Sequence, residues 1–98
     1  MKRLLVALAL LIAAPAPALA YTECTGPVTR IWADDAGLVW VVMNDGTVAK
    51  LLPGATSRET WLSMAMTALT TSRTITARFS GTQACGAERT DFVGMYLN

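Results

Sequence analysis

The chain contains no histidine. That absence removes Ser-His-Asp and Cys-His arrangements and the usual zinc ligand sets, so neither a metal site nor a metal cofactor is expected. No glycine-rich phosphate loop is present either; the seven glycines fall mostly in turns. There is no internal repeat, no low-complexity tract and no linker, which leaves a single domain. Charged residues are few, at 15%. The carboxylates are poorly placed for a general acid/base pair: Asp34 and Asp35 are adjacent in an expected turn, and neighbours on a strand would face opposite ways. Asp45 belongs to a hairpin, Glu59 to a helix cap, and Glu88 and Asp91 to a polar loop with Arg89. The sequence therefore predicts no enzyme and no cofactor.

What is present begins with an export signal. Lys2 and Arg3 form a short positive segment, and Leu4 to Ala14 is an unbroken apolar run. That run is shorter than the roughly 20 residues a membrane-spanning helix needs. Pro15 and Pro17 interrupt the sequence after it, and Ala18-Leu19-Ala20 supplies small residues for a peptidase site. Residues 1–20 are expected to be removed on passage through the inner membrane, leaving Tyr21 to Asn98 in the periplasm or secreted; an uncleaved anchor is the alternative. Lys2 and Arg3 leave with the signal, which takes eight basic residues to six against seven acidic ones. A near-neutral domain argues against a nucleic-acid partner. No remaining apolar run is long enough for a membrane span.

A domain this small is marginal on its core alone. Cys24 and Cys85 lie near its two ends, and the export signal places both in an oxidising compartment. One intramolecular pairing is available, and closing that loop is worth roughly 4 kcal/mol in the chain-entropy model. Free thiols or an intermolecular bridge are the other possibilities.

Val28 to Ala33 reads as a β-strand, and Asp34-Asp35-Ala36-Gly37 as a turn. Leu38 to Met43 is the strongest strand signal; it is apolar on both parities, so both faces are expected to be covered. Asn44-Asp45-Gly46 marks a hairpin, Thr47 to Leu52 the return strand, and Pro53-Gly54 its end. Thr56-Ser57-Arg58-Glu59 is a capping-box pattern opening a helix that runs to about Thr71. Leu62, Met66 and Leu69 form one helical stripe, with Trp61, Ala65 and Ala68 beside it. Thr60 to Ser72 carries no charge, so this helix is either nearly buried or meets another subunit; Trp61, Met64, Thr67, Ala68 and Thr71 are the candidate interface. Thr74 to Ser80 alternates as a strand, Gly81 to Asp91 is a loop carrying Cys85, and Phe92 to Leu97 is a closing strand. The order β-β-β-α-β-β predicts a mainly β fold with one α-helix, a small five-stranded OB-fold-like barrel. An open sheet with a helix across one face is the alternative.

The candidate ligand residues are aromatic and charged. Trp40, mid-strand, is expected in the core. Trp32 lies beside Asp34 and Asp35, equipment suited to stacking on a sugar ring and bonding its hydroxyls, though the ring could instead pack into the barrel. Arg30, Arg78 and Arg89 could pair with an acidic sugar or another anion.

This layout resembles the B subunits of bacterial A-plus-five-B toxins, the cholera and heat-labile enterotoxin group and the pertussis and subtilase cytotoxin group. The resemblance covers most of Tyr21 to Asn98. It rests on Cys24, the Asn44-Asp45-Gly46 hairpin, Leu52-Pro53-Gly54 before the helix, the helix itself, Cys85 after the next strand, and the short closing strand. It implies export, an OB-fold, a disulfide, a pentameric ring and recognition of cell-surface glycans. The chain departs from the family after Cys85, where Gly86-Ala87-Glu88-Arg89 lacks the Trp and Asn that cholera-type subunits use for galactose. The serine-containing motif of the sialic-acid binders is absent from the first hairpin, so no glycan-binding residue carries over.

The expectation is thus an exported, non-catalytic binding module, oligomeric and recognising a glycan or host-surface ligand through Trp32, Asp34, Asp35, Arg30 and Arg89. The alternative is a monomeric envelope protein that binds a protein partner as an inhibitor or accessory subunit.

Overall fold

The structure, a computed structural model, describes residues 20–98; the expected signal, residues 1–20, lies outside them except for Ala20. The architecture is organised by one long strand. β1 (Thr22–Ala33) pairs through Thr22–Pro27 with β4 (Thr74–Phe79) and through Val28–Ala33 with β2 (Val39–Met43). The change of partner coincides with a register shift between Val28 and Arg30, where the local bend lets one strand serve both halves of a curled sheet. β1 begins six residues before the expected Val28. Cys24, Gly26 and Val28 alternate inward, and the pairing with β4 runs through Gly26 and Pro27. A Cβ at Gly26 would stand 2.7 Å from Oδ1 of the exposed Asn44, whose side chain would have to move aside.

β3 (Val48–Leu51) returns from β2 through the Asn44-Asp45-Gly46 turn, where Gly46 adopts φ +88° and Asp45 Oδ1 accepts the Thr47 N–H. Two further strands, β5 (Glu88–Arg89) and β6 (Phe92–Leu97), follow β4. The sheet order is β5-β3-β2-β1-β4-β6, with β5 parallel to β3 and β6 antiparallel to β4. β5 and β6 stand at opposite ends of that order but only Thr90 and Asp91 separate them in the chain. The sheet must therefore curl until its ends approach, giving a barrel-like fold, a curled half-barrel of six strands where the strand order predicts a small five-stranded barrel. The expected closing strand Phe92–Leu97 is present as β6, and β5 is an additional short strand inside the expected Gly81–Asp91 loop.

The barrel core is filled by Val39, Val41, Met43, Ala49, Leu51, Ile75, Ala77 and Phe79. The helix α1 (Arg58–Thr71) covers one end. It turns Trp61, Ala65 and Ala68 inward, with Leu62 beside them, while Met66 and Leu69 face out. The expected Leu62-Met66-Leu69 stripe is corrected: two small alanines let the helix lie close to the barrel, and Trp61 packs edge-on to Phe92 at 4.7 Å. The capping box does not form. Ser57 makes no side-chain cap bond, and Glu59 pairs instead with Arg58 at 2.9 Å. Cys24 and Cys85 are joined in a disulfide that ties the loop before β5 to the start of β1. No described helix is long and apolar enough to cross a membrane.

Candidate functional site

Strand alternation decides which side chains reach solvent on β1, β2 and β3. On β2, Val39, Val41 and Met43 are buried, so Trp40 and Val42 occupy the outer face. The register places Trp32 opposite Trp40, Trp40 opposite Lys50, and Arg30 opposite Val42. The first three form a continuous cross-strand row. The Trp32 and Trp40 rings meet edge to face with centroids 5.3 Å apart, and Lys50 Nζ lies 4.6 Å from the Trp40 centroid. Lys50 is held there by Glu88 of β5 at 3.2 Å. Trp40 is thus clamped between two neighbours, while Trp32 remains 50% exposed.

Arg30, Ile31, Trp32, Trp40 and Val42 line an open groove of about 370 Å³, within the size range of small-ligand sites. The β1–β2 turn beside it is ordered by Asp34, whose Oδ1 accepts the N–H groups of Ala36 and Leu38 at 3.0 and 2.9 Å. Gly37 at φ +89° completes that turn, and Arg58 from the helix start donates to the Gly37 carbonyl at 2.6 Å.

The structure brings two of the expected ligand residues together, Arg30 and Trp32. Asp34 is consumed by its turn, and Asp35 is exposed in the same turn. Arg89 is a correction. It is 4% exposed, forms two hydrogen bonds to Asp91, donates to the Gln83 carbonyl and lies over the Phe79 ring, so it braces the end of the barrel and cannot meet a solvent anion. Its guanidinium holds the Asp91 carboxyl below the ordinary aspartate value, against the opposing effect of burial. Among the expected interface residues, Ala68 is also a correction, being buried against the barrel. Trp61 is largely occupied by the core and Met64 is half-buried, whereas Thr67 and Thr71 are exposed.

Trp40, Val42 and Lys50 were not legible as site residues. Trp40 in an apolar run reads as core; the parity it shares with Val42 is the only sequence signal that it faces out.

A second, smaller groove of about 280 Å³ lies on the β4–β6 side, lined by Arg78, Val93, Gly94, Met95 and Tyr96. Its cation is already engaged: Arg78 pairs with Glu23 at 2.9 Å, bonds the Tyr96 hydroxyl at 3.0 Å and lies 4.2 Å from the Tyr21 ring centroid. The Glu23 hydrogen bond is the main cause raising the Arg78 pKa above its ordinary value. Among the described residues no group of three or more His, Cys, Asp or Glu gathers as a metal site.

Comparison with protein-family models, with curated proteins and with solved structures returned no match.

Proposed function

We propose that this chain is an exported, non-catalytic binding module that recognises a glycan on the outer face of β1 and β2, oligomeric and similar in layout to a toxin B subunit. The observation that carries the reading is Trp32. A half-exposed indole at the lip of a groove, steadied by a second tryptophan and by an ordered turn, is suited to stacking on the apolar face of a sugar. OB-folds use the face of their second and third strands, with the adjoining loops, for oligosaccharides and oligonucleotides. This groove sits at the start of that face, beside the β1–β2 loop.

The use of the carboxylates supports a non-catalytic role. Asp34 and Asp45 hold turns, and Glu23, Glu59, Glu88 and Asp91 are each paired with a cation. Asp35 is exposed in the β1–β2 turn, and no carboxylate is among the residues that line either groove.

Screening the oxidised 21–98 protein on a broad glycan array, beside Trp32→Ala, tests the reading. Binding by the parent and its loss in the variant are expected; an array on which the parent binds nothing overturns it.

One observation favours a protein partner as the second reading. The outward side of α1 exposes Met66 and Leu69 in a surface with no charge between Thr60 and Ser72. Light scattering over a concentration series separates the two. A mass of several protomers supports self-assembly, and a concentration-independent monomer favours a different protein on that helix.

A further inference from the structure

We infer that the sugar taken by the Trp32 groove carries a carboxylate, and that Arg30 is the residue that selects it. The inference rests on the glycan reading of this face and narrows it to a substrate class.

Arg30 is set apart by what it lacks. Lys50, Arg58, Arg78 and Arg89 each stand in an ion pair, and Arg73 donates to the Asn98 carbonyl. Arg30 is exposed, lines the groove and has no ion-pair or side-chain hydrogen-bond partner among the described residues. No carboxylate lines the groove with it; the lining is otherwise Ile31, Trp32, Trp40 and Val42. Glu88, beyond Lys50, is paired with it, and Asp34 and Asp35 lie in the β1–β2 turn past Trp32, outside the lining. The lining itself is therefore an apolar, aromatic surface with one unpaired cation, Arg30, on the side of Trp32 away from that turn along β1.

The spacing suits an acidic sugar. Arg30 and Trp32 are two apart on β1, so they share a face about 7 Å apart along the strand. A pyranose ring stacked on Trp32 would hold an exocyclic carboxylate within reach of the flexible arginine. A guanidinium can meet that carboxylate with two parallel charge-assisted hydrogen bonds. A second feature asks for an oxygen-rich ligand: the Nε1–H of Trp40 is buried without an acceptor. Such an orphan donor is costly, and it is a donor for which an oxygen-bearing ligand can supply an acceptor. The β4–β6 groove lacks this character, since Arg78 is already bonded to Glu23 and Tyr96.

The carboxylate could belong to a sialic or uronic acid of a host glycan, or to muramic acid of the bacterial envelope. The test uses matched pairs: lactose against sialyllactose, galactose oligomers against oligogalacturonate, and N-acetylglucosamine against N-acetylmuramic acid. Each is titrated by calorimetry into the oxidised 21–98 protein, Arg30→Gln, Trp32→Ala and the control Arg78→Gln. The acidic member of at least one pair is expected to bind about tenfold tighter or more. That preference should shrink as salt is raised. Arg30→Gln should erase the preference while keeping the weaker neutral-sugar binding; Trp32→Ala should lose both, and Arg78→Gln neither. The pair that shows the effect identifies the source. Equal binding of neutral and acidic members, or an unchanged preference in Arg30→Gln, overturns the role of Arg30 and leaves the glycan reading standing. Binding of none of the six sugars overturns both. Tighter binding of a single-stranded oligonucleotide than of any sugar also overturns both and assigns the face to nucleic acid.

Discussion

Trp32 and Trp40 face each other across two strands, yet their surroundings differ. Trp40 has Lys50 over its ring and Trp32 against its edge; Trp32 has Trp40 on one side and solvent on the other. Removing Trp32 should cost the fold little, less than about 1 kcal/mol in urea unfolding, because half of its surface is already wet. Phe79→Ala, which empties a fully buried position packed against Phe92 and Arg89, should cost about 3–5 kcal/mol. Comparable losses in the two variants would contradict the assignment of Trp32 to a binding surface. The Arg89–Asp91 pair gives a pH signature. Because the folded-state pKa of Asp91 is depressed, its contribution is present above the ordinary aspartate value near pH 4 and lost as pH falls through the folded value. Asp91→Asn should be less stable than the parent at pH 7 by about 1–3 kcal/mol. The gap should close on acidification, when the parent carboxyl also becomes neutral. Unfolding midpoints measured from pH 7 down to pH 2 check this.

Among the elements, those specified by local chemistry were legible and those specified by distant partners were not. The Asn44-Asp45-Gly46 hairpin, the Asp34 turn, the β4 alternation and the extent of the helix all follow from neighbouring residues, and all are present. β5 has no local pattern; Glu88 and Arg89 become a strand only because β3 lies alongside. The first half of β1 lies outside the expected strand Val28 to Ala33, and its pairing depends on β4, some fifty residues downstream. The helix stripe was misjudged because side-chain size, and not hydrophobicity, decides which face can approach the barrel end. Trp40 reads as core in the sequence because an apolar run of both parities does not say which parity lies inward. The helix ends carry a further test. Ser57→Ala should change stability by less than about 0.5 kcal/mol, since Ser57 makes no cap bond. Ser72 closes the helix at φ +56°, with its own N–H and that of Arg73 both donating to the Ala68 carbonyl. Ser72→Gly should stabilise by about 0.5 kcal/mol, the relief of a left-handed residue less the added freedom of the unfolded chain. Chemical denaturation of both variants checks the near-neutral and the stabilising expectation side by side.

For the whole molecule, the decisive tie runs between its ends. The disulfide closes a span of 61 residues, joining the buried Cys24 to the loop that positions β5. That loop has weaker ties besides: Gly86 N–H donates to Thr47 Oγ1, and the Ala87 carbonyl accepts from Val48 N–H. Replacing both cysteines by alanine should cost about 2–4 kcal/mol, and hydrogen exchange should show β5 and residues 81–87 losing protection first. The proposed export makes a separate prediction: the mass of the periplasmic or secreted protein should correspond to a chain starting at Tyr21, one residue before β1.

The central claim is that the Trp32–Trp40 face is the recognition surface, and the three tryptophans allow it to be read directly. Each indole N–H gives one signal in a nitrogen-15 correlation spectrum of the oxidised 21–98 protein. On titration with sialyllactose, oligogalacturonate and N-acetylmuramic acid, at least one sugar should shift the Trp32 and Trp40 signals while Trp61, packed on Phe92, stays in place. Shifts confined to Trp61, or none with any of the three, would contradict the account.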